Sequence, residues 1–179
     1  MDHVGPRTTD QSADQLLVSA VSDRIEVSAV LHRLARAMDS RDWVLLVACF
    51  TPDAVGDFAT GPVRGAKQIN AQYQAFLTPL EVTQHFVTNT EVAVAGDTAT
   101  ATSYVHAQHV RTFDDSARQF VIGARYDDVL QRTAASWQIS HRKITGPWSD
   151  GDRRVVAATL QPRRSGLPPG AETTDEPKP

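Results

Sequence analysis

The sequence lacks several features by which common classes of protein are recognised. Its 179 residues contain one cysteine, Cys49, so a disulfide within the chain is excluded. No stretch approaches the roughly 20 apolar residues of a membrane span, and the first residues do not join a basic segment to an apolar one as a signal peptide does. We therefore expect no membrane partner and a cytoplasmic protein in a reducing compartment.

Basic charge and phosphate-binding motifs are also scarce. The formal net charge is -3 and the sequence pI is near 6.0, which leaves no large positive field for a phosphate backbone and argues against nucleic acid as a partner. No glycine-rich loop opens a helix, and no G-x-S-x-G elbow occurs. His106 and His109 are three residues apart, which puts them on opposite faces of a strand, so we predict no metal site and no cofactor.

The remaining composition is that of a globular protein, with 41% hydrophobic and 22% charged residues. This length favours one core rather than two. Residues 1–21 are predicted to form a polar N-terminal arm, and residues 22–150 a single domain. Residues 151–179 are predicted to be a C-terminal extension with a proline-rich tail that lacks a core of its own.

Helices are predicted in the first half of the domain. Asp23 followed by Glu26 resembles a capping box, and apolar residues then recur at helical spacing as far as Met38, which predicts a helix ending near Ser40. A shorter helix is predicted from Asp42, then a strand over residues 55–58. A third helix is predicted to end before Pro79.

Strands are predicted in the second half, where the apolar period changes to two. Four long strands are expected, over residues 83–94, 98–113, 118–132 and 136–144. Helices followed by strands predict the α+β class, in which a curved antiparallel sheet carries the helices on one face and forms a cone-shaped pocket. In the second of these strands, His109 shares a face with small residues such as Ala99 and Ala101, which leaves volume for a ligand. A core histidine bonded to a carbonyl group is the alternative.

Five segments resemble a known family in the order in which they occur. They are AMDSRDW (37–43), TQHF (83–86), GDTATATSY (96–104), GARYDDVLQR (123–132) and SWQISHRKI (136–144). They resemble the SnoaL-like branch of the nuclear transport factor 2-like superfamily, whose fold is a cystatin-like α+β barrel. That branch includes scytalone dehydratase, lindane dehydrochlorinase and bile-acid 7α-dehydratase. The resemblance covers roughly residues 22–150.

The resemblance implies a catalytic set of three residues. An aspartate at the end of the first helix matches Asp39, a histidine on the first long strand matches His85, and a second histidine of scytalone dehydratase matches His109. An imidazole, with a reference pKa near 6.5, exchanges protons readily around neutral pH, and a carboxylate beside it fixes its tautomer. We expect His85 to act as the base, Asp39 to orient it and His109 to protonate a leaving hydroxyl. A helix-capping Asp39 and a core His85 remain the alternatives.

Other expected pocket positions depart from that pattern. Two tyrosines are replaced by Met38 and Phe58, while a serine and an asparagine are replaced by Ala124 and Tyr126, so scytalone itself is a poor candidate substrate. Trp148 is predicted to be a lid or wall residue, because in this family the segment after the last strand folds over the pocket. Its alternative is a surface aromatic. Other residues are predicted to serve packing (Trp43, Tyr73, Trp137) or to face solvent or a subunit contact (Arg125).

These expectations favour a dehydratase-like lyase or isomerase that needs no cofactor and acts on a small, mostly apolar hydroxylated or carbonyl compound. A non-catalytic binding or assembly module is the alternative, because one fold hosts many functions. A polyketide-type cyclase is a further alternative. The resemblance and the open sheet also predict a homo-oligomer, a trimer or a dimer.

Overall fold

Residues 11–160 are described in the computed structural model, which places four helices and six strands over that range. The helices are α1 (Gln11–Ser40), α2 (Trp43–Ala48), α3 (Ala66–Leu77) and α4 (Arg154–Leu160). The strands are β1 (Phe50–Phe58), β2 (Gly61–Arg64), β3 (Val82–Ala95), β4 (Thr98–Phe113), β5 (Ser116–Arg132) and β6 (Trp137–Gly151). The start of the predicted arm and the proline-rich tail from residue 161 lie outside the described residues.

The six strands form one sheet in the order β2-β1-β6-β5-β4-β3. The four long strands form the predicted antiparallel meander, while β1 joins the sheet by pairing parallel to β6. Asp114 and Asp115, both at positive φ of 50° and 60°, make the two-residue turn that joins β4 to β5. The predicted α+β class with a curved sheet is confirmed, with one parallel pair that the sequence reading did not anticipate.

Helix α1 begins earlier than predicted. Residues 12–22 are exposed, so they show no buried face from which a helix could be recognised, yet good helix formers extend an established helix at little cost. Asp23 consequently lies within the helix and does not cap it. Its carboxylate accepts hydrogen bonds from Arg132 at 2.7 Å and from the Trp137 indole at 3.3 Å. The bond from Arg132 is the main reason that the pKa of Asp23 is lowered.

The inner face of the sheet meets α1 and α3 and encloses the core. Apolar side chains at helical spacing in α1, including Val27, Leu31 and Leu34, are at most 1% exposed. They pack against inward residues of the long strands such as Leu130 and Ile139, both 0% exposed. Burial of these faces on one another fixes the helices over the concave side of the sheet.

The C-terminal part of the described chain adds to this core. Strand β6 continues beyond its predicted end at Ile144 to Gly151, and α4 then buries Val155 and Val156 in the main apolar cluster. The structured domain therefore extends past residue 150, which corrects the predicted boundary. Among the helices of residues 11–160, none is both long and apolar enough to cross a bilayer.

Candidate active site

Asp39 and His85 form a close pair between the last turn of α1 and strand β3. Asp39 Oδ1 lies 2.6 Å from His85 Nδ1, and Asp39 Oδ2 accepts the backbone N–H of His85 at 3.0 Å. The His85 side chain is 5% exposed and that of Asp39 is 26% exposed. Each carboxylate oxygen thus holds one nitrogen of the same residue, so both the ring and its strand are fixed.

This geometry decides which ring nitrogen of His85 is basic. An ionised carboxylate only accepts hydrogen bonds, so the ring proton belongs on Nδ1, where Asp39 receives it. The lone pair then lies on Nε2, and His85 lines an internal cavity. An imidazole held in this way is ready to accept a proton, and the carboxylate stabilises the imidazolium that results.

His109 lies next to this pair on strand β4 and is 1% exposed. Its Nδ1 lies 3.0 Å from Thr83 Oγ1, and its ring contacts those of His85 and Phe76 at centroid distances of 5.7 and 5.3 Å. Burial, followed by the neighbouring His85, lowers the pKa of His109 to about 4. The ring is therefore neutral at pH 7, which favours a hydrogen-bonding role over the predicted delivery of a proton from an imidazolium.

The cavity beside the two histidines has a volume of about 210 Å³ and is mostly apolar. Its wall is made by α3, the end of β1 and the inward residues of β4, β5 and β6. Four of the predicted substrate-binding residues line it, namely Met38, Phe58, Ala124 and Tyr126. Other lining side chains are apolar (Phe76, Leu77, Val105, Ala107, Ile122, Ile144) or polar (Gln72, Tyr73).

Trp148 lies on the other face of the sheet, which corrects the prediction of a lid or wall residue. Its partner across the strands is Gly123, and a Cβ on Gly123 would come within 2.0 Å of the indole, so the ring lies flat over the glycine. Together with Phe86 and His106 it forms an aromatic row across the outer face of the sheet, with ring centroids 6.0 and 6.3 Å apart. The Trp148 side chain is 51% exposed.

A second polar group under the cavity was missed by the sequence analysis. Arg142 and Asp128 form a two-point ion pair with both distances 2.7 Å, and their side chains are 1% and 0% exposed. The Arg142 guanidinium lies 4.1 Å from the centroid of the Tyr126 ring. Asp128 follows Ala124 and Tyr126 at a spacing of two along β5, so all three side chains point to the inner face of the sheet. This alternation in the sequence could have revealed that Asp128 is buried.

The remaining charged and polar residues have simpler surroundings. Arg125 is exposed and paired with Asp127, as predicted for a solvated charge. Tyr73, predicted to serve packing, also lines the cavity. Across residues 11–160, no three His, Cys, Asp or Glu side chains are arranged to hold a metal ion, and His106 and His109 do lie on opposite faces of β4.

Comparisons with known proteins found a relative by sequence and several solved structures of similar fold. The chain is 34% identical over 133 residues to the uncharacterized protein Rv2910c of Mycobacterium tuberculosis, which covers 73% of this chain and 89% of the relative. Among solved structures, a hexachlorocyclohexane dehydrochlorinase (LinA Type2) matches with a TM-score of 0.66 at 17% identity, over 84% of this chain and 97% of that chain. A candidate dehydratase of the NTF2-like family from Streptomyces avermitilis matches with a TM-score of 0.66 at 18% identity, over 71% and 97%.

These structural matches establish the fold, and the family follows from the sequence match. The family model described as a SnoaL-like domain matches residues 19–143, which contain all three residues of the predicted catalytic set. This range takes in most of α1, strands β1 to β5 and the first half of β6, so the match covers most of the elements that build the cavity. The chain therefore belongs to the SnoaL-like family of the nuclear transport factor 2-like superfamily.

Proposed function

We propose that this chain is a cofactor-independent lyase or isomerase that removes a proton from a carbon next to a carbonyl group. The observation that carries the proposal is the contact of 2.6 Å between Asp39 and His85 at the wall of a mostly apolar cavity. An Asp-His pair whose histidine is largely buried and lines a mostly apolar cavity suits proton transfer, because few water molecules compete with the ligand for the basic nitrogen.

The proposed reaction has two proton transfers. His85 Nε2 takes the α-proton, and the electron pair of the broken C–H bond passes to the carbonyl oxygen. Asp39 stabilises the imidazolium, and His109, with its Nδ1 accepting from Thr83, donates its Nε2–H to an oxygen of the substrate. When the electron pair returns, a β C–O bond breaks and a C=C bond forms. The leaving hydroxyl takes the proton from His85 and departs as water, which makes the reaction a dehydration.

The alternative is a non-catalytic module that only binds small molecules, and a polyketide-type cyclase is a further alternative. A binding module explains the apolar lining equally well, because an apolar ligand needs such a wall. A module of this kind has no use for a proton acceptor. It does not explain why a carboxylate places both its oxygens on His85 while His109 lies 5.7 Å away. A cyclase also needs a base, which the Asp39–His85 pair would supply equally well.

Proton abstraction can be tested without the natural substrate. We expect the protein to accelerate exchange of the α-protons of cyclohexanone in D₂O over the buffer rate, and to convert 3-hydroxycyclohexanone to cyclohexenone. ¹H NMR measures the first reaction and ultraviolet absorbance the second. The matched control for a change at His85 is His141→Gln, which should keep the wild-type rate. His141 also pairs with a carboxylate, that of Asp57 at 2.9 Å, but it lies on the outer face of the sheet and is 39% exposed. Binding of either ketone with no acceleration would support the non-catalytic module.

Self-association through the aromatic row is proposed as well, with a second copy of this chain as the occupant. Phe86 and Trp148 stand about half exposed at the two ends of the row, so a two-fold rotation brings each end against the other end of its partner. Four strands about 4.8 Å apart and about ten residues long present roughly 600 Å², near the 800 Å² or so per partner of a stable interface.

A cytoplasmic location also remains a proposal, which rests on the single buried Cys49.

A two-fold contact through the aromatic row closes as a dimer, which is the expected result by light scattering at micromolar concentration. Trp148→Ala and Phe86→Ser should each shift the mass toward the 19.5 kDa monomer, because each removes a large apolar contact. Val44→Ala is the control, since Val44 is 83% exposed on α2, away from the row. A wild-type monomer would rule the proposal out, as would equal effects of the three changes.

A further inference from the structure

The cavity contains a second unpartnered polar point in addition to the histidines. Tyr73, on α3, is 6% exposed and lines the cavity, where its ring meets Phe58 edge-on at 5.4 Å. The group that acts on its hydroxyl is the Arg142 guanidinium, which can only donate, so the Tyr73 O–H finds no acceptor among residues 11–160. Nε2 of His109, which also lines the cavity, has no hydrogen-bond partner in that range either. A buried hydroxyl whose proton is not donated lowers the stability of the fold, so its retention calls for an explanation.

The surroundings of Tyr73 favour a hydrogen-bond donor at this point. Burial is the main cause that raises the pKa of Tyr73, so the phenol keeps its proton. The Arg142 guanidinium is close enough to act in the opposite direction, favouring negative charge at the hydroxyl end of the ring. A hydroxyl that stays protonated beside a cation donates well to an oxygen on which negative charge develops.

The substitutions at the expected tyrosine positions point the same way. Met38 and Phe58 occupy them and line the cavity without a hydroxyl. The phenols of this cavity are instead Tyr73 and Tyr126, the second of which stacks on the same Arg142 at 4.1 Å. Phenol rings therefore line this cavity from α3 and β5, beside the buried Arg142–Asp128 pair.

We infer that Tyr73 anchors the ligand by donating a hydrogen bond to a carbonyl oxygen, which makes it a specificity-determining residue of this cavity. The ligand class is a small, mostly apolar ketone. A hydrocarbon of the same shape leaves the Tyr73 hydroxyl unpaired and gains nothing from it. The inference rests on the proposed function only in placing the ligand in the cavity beside His85, and it concerns binding, whether or not a proton is moved.

The experiment compares two probes of one shape, cyclohexanone and methylenecyclohexane, by titration followed in ¹H–¹⁵N NMR spectra. The wild-type protein should bind the ketone about 5- to 10-fold more tightly, as expected for one hydrogen bond of about 1 kcal/mol. Tyr73→Phe should lower that ratio to near 1 while the affinity for methylenecyclohexane stays within about twofold. Tyr104→Phe is the matched control, because Tyr104 is 58% exposed on the outer face, and it should keep the wild-type ratio.

The stability of the variant gives a second readout. Because no group of the fold accepts the Tyr73 O–H, Tyr73→Phe should largely keep the melting temperature, whereas loss of a hydrogen bond donated within the fold would lower it. An unchanged ketone preference in Tyr73→Phe would overturn the inference, and so would the absence of any preference in the wild type. If the protein prefers the ketone but does not accelerate α-proton exchange, the role of Tyr73 in binding is supported and the proposed proton abstraction is not. If the protein accelerates α-proton exchange but does not prefer the ketone, proton abstraction is supported and the role of Tyr73 is not.

Discussion

Replacing His85 by Gln is expected to lower the α-proton exchange rate by about 100- to 10,000-fold, toward the rate in buffer. A positioned base contributes about that factor, and Gln has no lone pair of comparable basicity. Binding of cyclohexanone should persist, because the apolar wall and the Tyr73 hydroxyl are untouched. Exchange by ¹H NMR and binding by titration, measured on the same samples, separate the two effects. Wild-type exchange in His85→Gln would refute the proposed role of this histidine.

Asp39→Asn should lower the same rate while leaving most of the stability intact. Asp39 now accepts one bond from His85 Nδ1 and one from the His85 backbone N–H, and both partners donate. An amide has one oxygen, so either its NH₂ group faces a second donor or the ring changes tautomer and turns an N–H into the cavity. The exposed pair offers the control Asp57→Asn, whose carboxylate lies 2.9 Å from His141.

The double variant tests whether the two residues act as one unit. If Asp39 works only through His85, then His85→Gln with Asp39→Asn should be hardly slower than His85→Gln alone, because the assisted step is already lost. Separate roles would instead give losses that multiply. Melting temperatures of all four proteins show whether a rate loss reflects unfolding. Multiplying losses with unchanged melting temperatures would contradict the single-unit account.

The elements that could be predicted were those whose pattern is local. Alternation of apolar and polar residues identified the long strands, and β4 has the predicted bounds of 98–113. The Asp39–His85 contact depends on two segments 46 residues apart, and it was reached through the family resemblance rather than from any local period. The early start of α1 was missed because residues 12–22 bury nothing, so no periodic face marks them.

Two irregularities in β6 explain why the prediction for Trp148 was wrong and why Arg142 was missed. The register passes from Arg125↔Thr145 to Gly123↔Trp148, so β6 uses three residues where β5 uses two, and the extra residue turns Trp148 to the outer face. A second shift, between Val129↔His141 and Leu130↔Ile139, brings Arg142 to the inner face together with Ile139. Strict alternation puts residues 139 and 142 on opposite faces, and bulges depend on pairing with β5 that one strand's sequence does not show.

The buried pair beneath the cavity carries the second large expected effect. Asp128→Ala should lower the free energy of unfolding by about 3 to 5 kcal/mol, because it leaves the guanidinium of Arg142 uncompensated in a site that is 1% exposed. Arg142→Met should be destabilising for the same reason, since it leaves a carboxylate buried without its cation. Urea unfolding measures both changes. The exposed pair of Arg125 and Asp127 gives the control, in which Arg125→Met should lower the free energy of unfolding by less than about 1 kcal/mol.

The double variant shows whether a single variant is unstable because it leaves one buried charge uncompensated or because it loses the attraction between the two ions. When Arg142→Met is joined to Asp128→Leu, neither charge remains to be desolvated, and the double variant should recover most of the stability that either single variant loses. Its cavity should nevertheless differ, because the cation that stacks on Tyr126 at 4.1 Å and lies close to the Tyr73 hydroxyl is gone. We therefore expect restored unfolding free energy together with a weakened preference for cyclohexanone over methylenecyclohexane. A double variant that unfolds as easily as Asp128→Ala would show that the ion pair itself, and not the compensation of buried charge, stabilises the fold.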